Sequence, residues 1–159
     1  MLTKDMKDLI RAFNANGAEY LIIGGFAFGV HAQPRATKDL DLFIRSDARN
    51  SAAVFKALAE YGAPLHGLTV KDLQDASTGL QIGVPPNRID ILQKIDGVTF
   101  EEAWQSRVQA VIEGDTPTSG SGHNAADFYA NVLHAMSTPA LTDRQIIASV
   151  RDHVSPQER

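Results

Sequence analysis

Residues 24–44 read GGFAFGVHAQPRATKDLDLFI, and this stretch decides the fold. Just before it lies a short apolar run, YLII at 20–23, bounded by Ala-Glu and by Gly24-Gly25; its length and composition predict a buried strand. A helix-like run over 26–31 follows the glycines, and Pro34 ends it, because a residue before proline is pushed out of helical geometry. In 39–45 the residues Asp39, Asp41 and Phe43 alternate with Leu40, Leu42 and Ile44, the period of a strand with one apolar face and one face edged by acids. Burying part of such a carboxylate pair costs several kcal/mol unless something positive meets it. Packing alone therefore does not account for Asp39 and Asp41.

On the N-terminal side, Thr3 is placed to cap a helix whose residues Met6, Leu9, Ile10 and Phe13 share one face, and Gly17 suits its left-handed stop. On the C-terminal side, 47–61 predicts a helix with Ala53, Phe55, Leu58 and Ala59 as its apolar side, stopped by Gly62 and Pro64. A short helical piece is expected at 70–76. The runs GLQIGV and RIDILQKI, joined by PPN, predict a hairpin with Asp90 in its second strand. The segment TFEEAWQSRVQAVI, 99–112, is expected to be a helix with acids in its first turn and Trp104 as a core residue.

Beyond this lies GDTPTSGSG at 114–122, a loop by composition, and then two expected helices, 123–136 and 141–154, the second with a capping box of Thr142 and Gln145. Their apolar positions, Phe128, Val132, Ala135 and Met136, then Ile147, Val150 and Val154, read as core or dimer-contact stripes. The expected organisation is thus a core over 1–113, a linker over 114–122 and a helical segment over 123–159 that packs on the core or on a partner.

Composition bounds the function classes. The chain has 159 residues, 43% of them hydrophobic and 21% charged, which suits one globular domain with a sizeable core rather than a disordered or fibrous chain. There is no cysteine, which excludes disulfides, thiolate zinc sites and a cysteine nucleophile. No apolar run is long enough for a membrane span, and the start Met1-Leu2-Thr3-Lys4 lacks a signal-peptide pattern, so the expected location is the cytoplasm, with no membrane partner. A net charge of −4 argues against a broad nonspecific nucleic-acid footprint. The last lysine is Lys94, so a phosphate-binding surface is expected in the first two thirds. The histidines His31, His66, His123, His134 and His153 have no metal-ligand spacing, and no Gly-x-Ser-x-Gly elbow occurs.

Side chains at i and i+2 of a strand share one face about 6–7 Å apart, so Asp39 and Asp41 converge, and Asp90 can join them from a neighbouring strand. Three acids this close repel one another unless cations screen them, and hard oxygen ligands suit Mg²⁺ or Mn²⁺. Gly24 and Gly25 between a strand and a helix allow close backbone approach, and the helix N-terminus offers N–H groups to phosphate. Arg35 and Lys38 can add positive charge there, and Thr37 a hydrogen bond.

Strand, Gly-Gly, short helix, Asp-x-Asp on a strand and a later strand acid, in this order, resemble the minimal nucleotidyltransferases of the polymerase-beta-like superfamily. Arg35, Thr37, Asp39, Leu40 and Asp41 match the Arg-x-Thr-x-Asp-hydrophobic-Asp run of its abortive-infection and antitoxin-like branch, and RIDILQKIDGVTFEEAW is similar to the branch around its third carboxylate. The likeness spans residues 19–107. It implies an α+β nucleotidyltransferase fold, a small mixed central sheet flanked by helices. It also implies that Asp39 and Asp41 ligate the Mg²⁺ or Mn²⁺ ions that carry a nucleoside triphosphate, that Asp90 ligates the second metal and helps activate an acceptor hydroxyl, and that Gly24 and Gly25 hold the phosphates. The implied reaction moves a nucleoside monophosphate to an RNA end, a protein side chain or a small molecule and releases pyrophosphate. A toxin–antitoxin-type role is suggested by the likeness alone. A chain of this size has little room for a separate acceptor domain, so the acceptor is expected to bind across a homodimer or to be a partner protein.

The segment after 114 departs from the branch, which usually continues into a strand and a C-terminal helix rich in lysine and arginine. That departure bears on any triphosphate contact made from the helix, so the alternative is a noncatalytic protein of this fold that binds a nucleotide or a protein partner.

Overall fold

The computed structural model describes residues 2–31, 39–84, 87–112 and 128–132. Helix α1, Lys4–Ala15, begins where the Thr3 hydroxyl accepts from the Met6 N–H at 3.3 Å, and it buries Met6, Leu9, Ile10 and Phe13. Strand β1, Tyr20–Ile23, is buried throughout and runs directly into α2, Gly24–His31. Strand β2, Leu40–Ile44, returns antiparallel to β1. Asp47 then caps α3, Ala48–Tyr61, by accepting from the Asn50 N–H at 2.7 Å, and Gly62 ends that helix in the left-handed region.

A single 3-10 turn, Asp72–Gln74, stands in the expected helical piece at 70–76. Strands β3, Leu80–Ile82, and β4, Ile89–Leu92, pair antiparallel as the hairpin spacing predicts. Helix α4 is Phe100–Gln105, with a complete capping box between Thr99 and Glu102. Two further strands close the described chain, β5 at Val108–Ile112 and β6 at Phe128–Val132.

The fold is α+β. Six strands form one mixed sheet in the order β3-β4-β2-β1-β6-β5, with β2–β4 and β1–β6 parallel and the other neighbours antiparallel. On one face Tyr20, Ile22, Leu40, Leu42, Ile44, Ile89, Ile91, Ala130 and Val132 pack with the buried sides of α1 and α3. On the other face Leu21, Ile23, Phe43 and Leu92 meet Ile95, Val98 and Ala103, with Phe100 and Trp104 alongside. No helix among the described residues is long and apolar enough to cross a membrane.

Four expectations need correction. The helix predicted over 99–112 stops at Gln105, and 108–112 is strand β5, because Val108, Ala110 and Ile112 pack on the core while Gln109 and Val111 face outward with a period of two. Within the predicted helix 123–136, residues 128–132 are strand β6. Phe128 and Val132 fall four apart and suit either period, but the burial of Ala130 and Val132 against the exposure of Tyr129 fits only the strand.

The core side of α3 is Asn50, Ser51, Val54, Ala57 and Leu58; Ala53 and Phe55 pack at its margin and Ala59 is exposed. This face is rotated from the expected one because buried Asn50 binds the backbone of the sheet: it accepts from Glu19 N–H at 2.7 Å and donates to the carbonyls of Glu19 at 2.9 Å and Arg45 at 2.7 Å. Trp104, expected in the core, is half-buried, stacked on Phe100 and covered by the Arg107 guanidinium. The predicted linker 114–122 and helix 141–154 lie outside the described residues.

Candidate functional site

The acid-bearing face is built by strand register. Ile23 of β1 pairs with Asp41 of β2, and Asp41 pairs with Asp90 of β4, so the last residue of β1 and both acids lie side by side across three adjacent strands. Alternation puts Asp41 and Asp90 on the same face as Phe43 and Leu92, at the end of the sheet where β1 passes into α2. Asp39 immediately precedes β2, with its side chain 40% exposed. The Leu40 N–H donates to the Arg88 carbonyl at 2.9 Å, which ties the entry of β2 to that of β4.

Gly24 meets this cluster directly. Its φ is +70°, in the region glycine alone adopts without strain, and a Cβ built there would lie 2.6 Å from Asp41 Oδ2. Both the dihedral and the space thus require glycine. Gly25 stands in the first turn of α2, partly exposed. The structure therefore brings together Gly24, Asp39, Asp41 and Asp90. Arg35, Thr37 and Lys38 lie outside the described residues.

Burial governs the electrostatics of this cluster. Asp41 is 8% exposed and Asp90 3%, and Asp41 Oδ1 is buried with no hydrogen-bond partner among the described residues. Burial first, then the negative charges of Asp90 and Asp39, push the Asp41 carboxyl up to about 8, against the pull of Arg88. Burial also raises Asp90, opposed by Arg88. The two carboxyls lie within hydrogen-bonding reach, with Asp41 the protonated partner.

Two residues of the site are absent from the sequence-based expectation. Arg88 Nε donates to Asp90 Oδ2 at 3.0 Å, and its Nη2 lies 3.5 Å from Asp39 Oδ2. The signal available was its position two residues before Asp90, on the same strand face. Gln81 of edge strand β3 pairs with Asp90 in register and is exposed on that face. Nothing in its sequence context marks it.

The donor set is of the kind a hard cation takes: carboxylate oxygens only, one of them buried and without a partner among the described residues, beside a glycine whose missing side chain lets the backbone approach Asp41 closely. Among the described residues no group of three His, Cys, Asp or Glu side chains is placed to hold an ion. Asp41 and Asp90 form the converging pair, while Asp39 and Asp90 both lean on Arg88. A scan against models of known protein families finds no match to this chain, and a search of curated proteins finds no similar sequence.

Proposed function

We propose that this chain is a metal-dependent nucleotidyltransferase of the polymerase-beta-like kind, moving a nucleoside monophosphate from a triphosphate to an acceptor hydroxyl. One observation carries the proposal: the buried Asp41 carboxyl beside Asp90, its Oδ1 without a hydrogen-bond donor among the described residues and its Oδ2 against Gly24, which opens a helix. An acid kept this way is costly in a purely structural role and is suited to a cation. The order β1, Gly24-Gly25, α2, β2 with the acids, and β4 parallel to β2 supports the same assignment.

Mg²⁺ or Mn²⁺ at such a site would neutralise phosphate charge and supply the Lewis acidity that an in-line displacement uses. Asp39, Asp41 and Asp90 would hold them. The first N–H groups of α2, at Gly24 and Gly25, would serve the triphosphate, since the start of a helix favours negative charge. The acceptor oxygen forms a bond to the α-phosphorus as the bond to the bridging α–β oxygen breaks, and pyrophosphate leaves with that electron pair. The acceptor proton passes to Asp90, the acid on the acceptor side of the expected arrangement. Positioning and charge neutralisation supply most of the rate.

A second reading, a noncatalytic protein that keeps the fold and binds a nucleotide or partner, is favoured by Arg88, which already neutralises Asp39 and Asp90. Incubation with Mg²⁺ or Mn²⁺, each α-labelled nucleoside triphosphate, and RNA, protein and small-molecule fractions separates the two. Transfer of label with pyrophosphate release, lost in an Asp39→Asn/Asp41→Asn variant, is the expected result. Metal-dependent triphosphate binding with no transfer to any fraction would favour the noncatalytic reading.

A further inference from the structure

Among the described residues Arg88 shares with Arg45 a side chain held mostly out of water, 21% and 23% exposed, whereas Lys4, Lys56 and Lys94 make their ion pairs with most of the side chain in water. What sets Arg88 apart is that its partners are Asp39 and Asp90. Its backbone is fixed, because the Leu40 N–H donates to its carbonyl at 2.9 Å. Its guanidinium makes contact with Asp90 Oδ2 and Asp39 Oδ2, oxygens that a cation between these acids would also use. Yet Asp41 Oδ1 gains no partner from it. Among the described residues, Arg88 thus contacts two of the three acids.

We propose that Arg88 is the resident counter-ion of the metal-free site, holding Asp39 and Asp90 together, and that it swings off Asp90 when a divalent cation enters. This rests on the metal-site reading above and adds to it that the cation must compete with the chain's own guanidinium. A divalent ion is able to reach the Asp41 oxygen that Arg88 leaves without a partner. Arg88 therefore sets the threshold for metal entry, weakening affinity while keeping Asp90 from lying buried and unpaired in the metal-free protein.

Mn²⁺ binding by titration calorimetry, together with the melting temperature with and without Mn²⁺, tests this on the full chain, on Arg88→Gln and on Arg88→Lys. A charge-assisted bond lost to the competitor predicts Mn²⁺ affinity about tenfold higher in Arg88→Gln. Its metal-free melting temperature should be lower and its rise on adding Mn²⁺ larger than in the parent. Arg88→Lys keeps the charge without the planar fork, and its affinity should rise by less, about threefold; it carries the test alone where Arg88→Gln fails to fold. Mn²⁺ binding to the parent chain that is unchanged or weaker in the variants overturns the counter-ion role and leaves the metal site standing. Binding to none of the three overturns both.

Discussion

Asp41 offers the sharpest quantitative prediction. Its carboxyl ordinarily titrates at 3.8, and burial beside Asp90 pushes it up to about 8. Between these values the folded chain keeps a proton that the unfolded chain has released, so the stability present at low pH is lost as pH rises through the folded value. The slope is about 1.4 kcal/mol per pH unit, which puts the loss at pH 7 on the order of 4 kcal/mol, a large part of the roughly 5–15 kcal/mol that holds a domain together. Asp41→Asn removes the titrating group and keeps its shape. In EDTA the variant should therefore be more stable than the parent at pH 7 to 8, by about 2–4 kcal/mol, the gap narrowing toward pH 5 and closing near pH 4. Asp90 is raised by the same burial and is coupled to Asp41, so the difference between the two proteins reports the loss of Asp41 together with the relief of Asp90. Urea unfolding at four pH values, with equal m-values, measures it. Saturating Mg²⁺ should reverse the order, because the cation stabilises only the chain that keeps the carboxylate. A gap that does not change with pH, or a variant less stable than the parent at pH 7 in EDTA, would refute the reasoning.

Gly24→Ala forces a side chain into a left-handed φ and against Asp41 Oδ2, and should cost about 2 kcal/mol and abolish Mn²⁺ binding. Gly62→Ala, also left-handed at the end of α3 but with nothing within 4 Å of a Cβ, is the control: similar strain with Mn²⁺ binding retained in calorimetry. Asn50→Ala strips partners from the Glu19 N–H and from the Glu19 and Arg45 carbonyls, and should cost about 3 kcal/mol in urea unfolding; a loss below about 1 kcal/mol would show that water replaces the amide.

Much of the first half of the fold is legible in local sequence. Thr3 and Asp47 cap the helices they precede, YLII and LDLFI are strands, and the two runs flanking PPN pair as a hairpin. Strands β5 and β6 were not legible, because VQAVI and FYANV are five residues each and their apolar positions suit either period over so short a span. What fixes them as strands is non-local: Ile22 pairs with Val132, and Val108 pairs with Val132 in turn.

The same distinction applies to the site. That Asp39 and Asp41 share a face follows from spacing, but that Asp90 stands level with Asp41 depends on β4 pairing parallel with β2 in that register. Arg88 read only as the first residue of the strand run RIDILQKI, and its contacts with Asp39 and Asp90 are what give it a role. The rotated face of α3 has in part the same origin, since Asn50 binds Glu19, 31 residues away at the entry of β1, as well as the nearby Arg45 at the exit of β2.

Titration calorimetry of the full chain with Mg²⁺ and each nucleoside triphosphate, beside the Asp39→Asn/Asp41→Asn variant, tests the proposed function most directly. Triphosphate binding that requires the metal and vanishes in the variant is the predicted result, and the triphosphate bound names the donor. Binding of no triphosphate by the intact chain, with or without Mg²⁺, would contradict it.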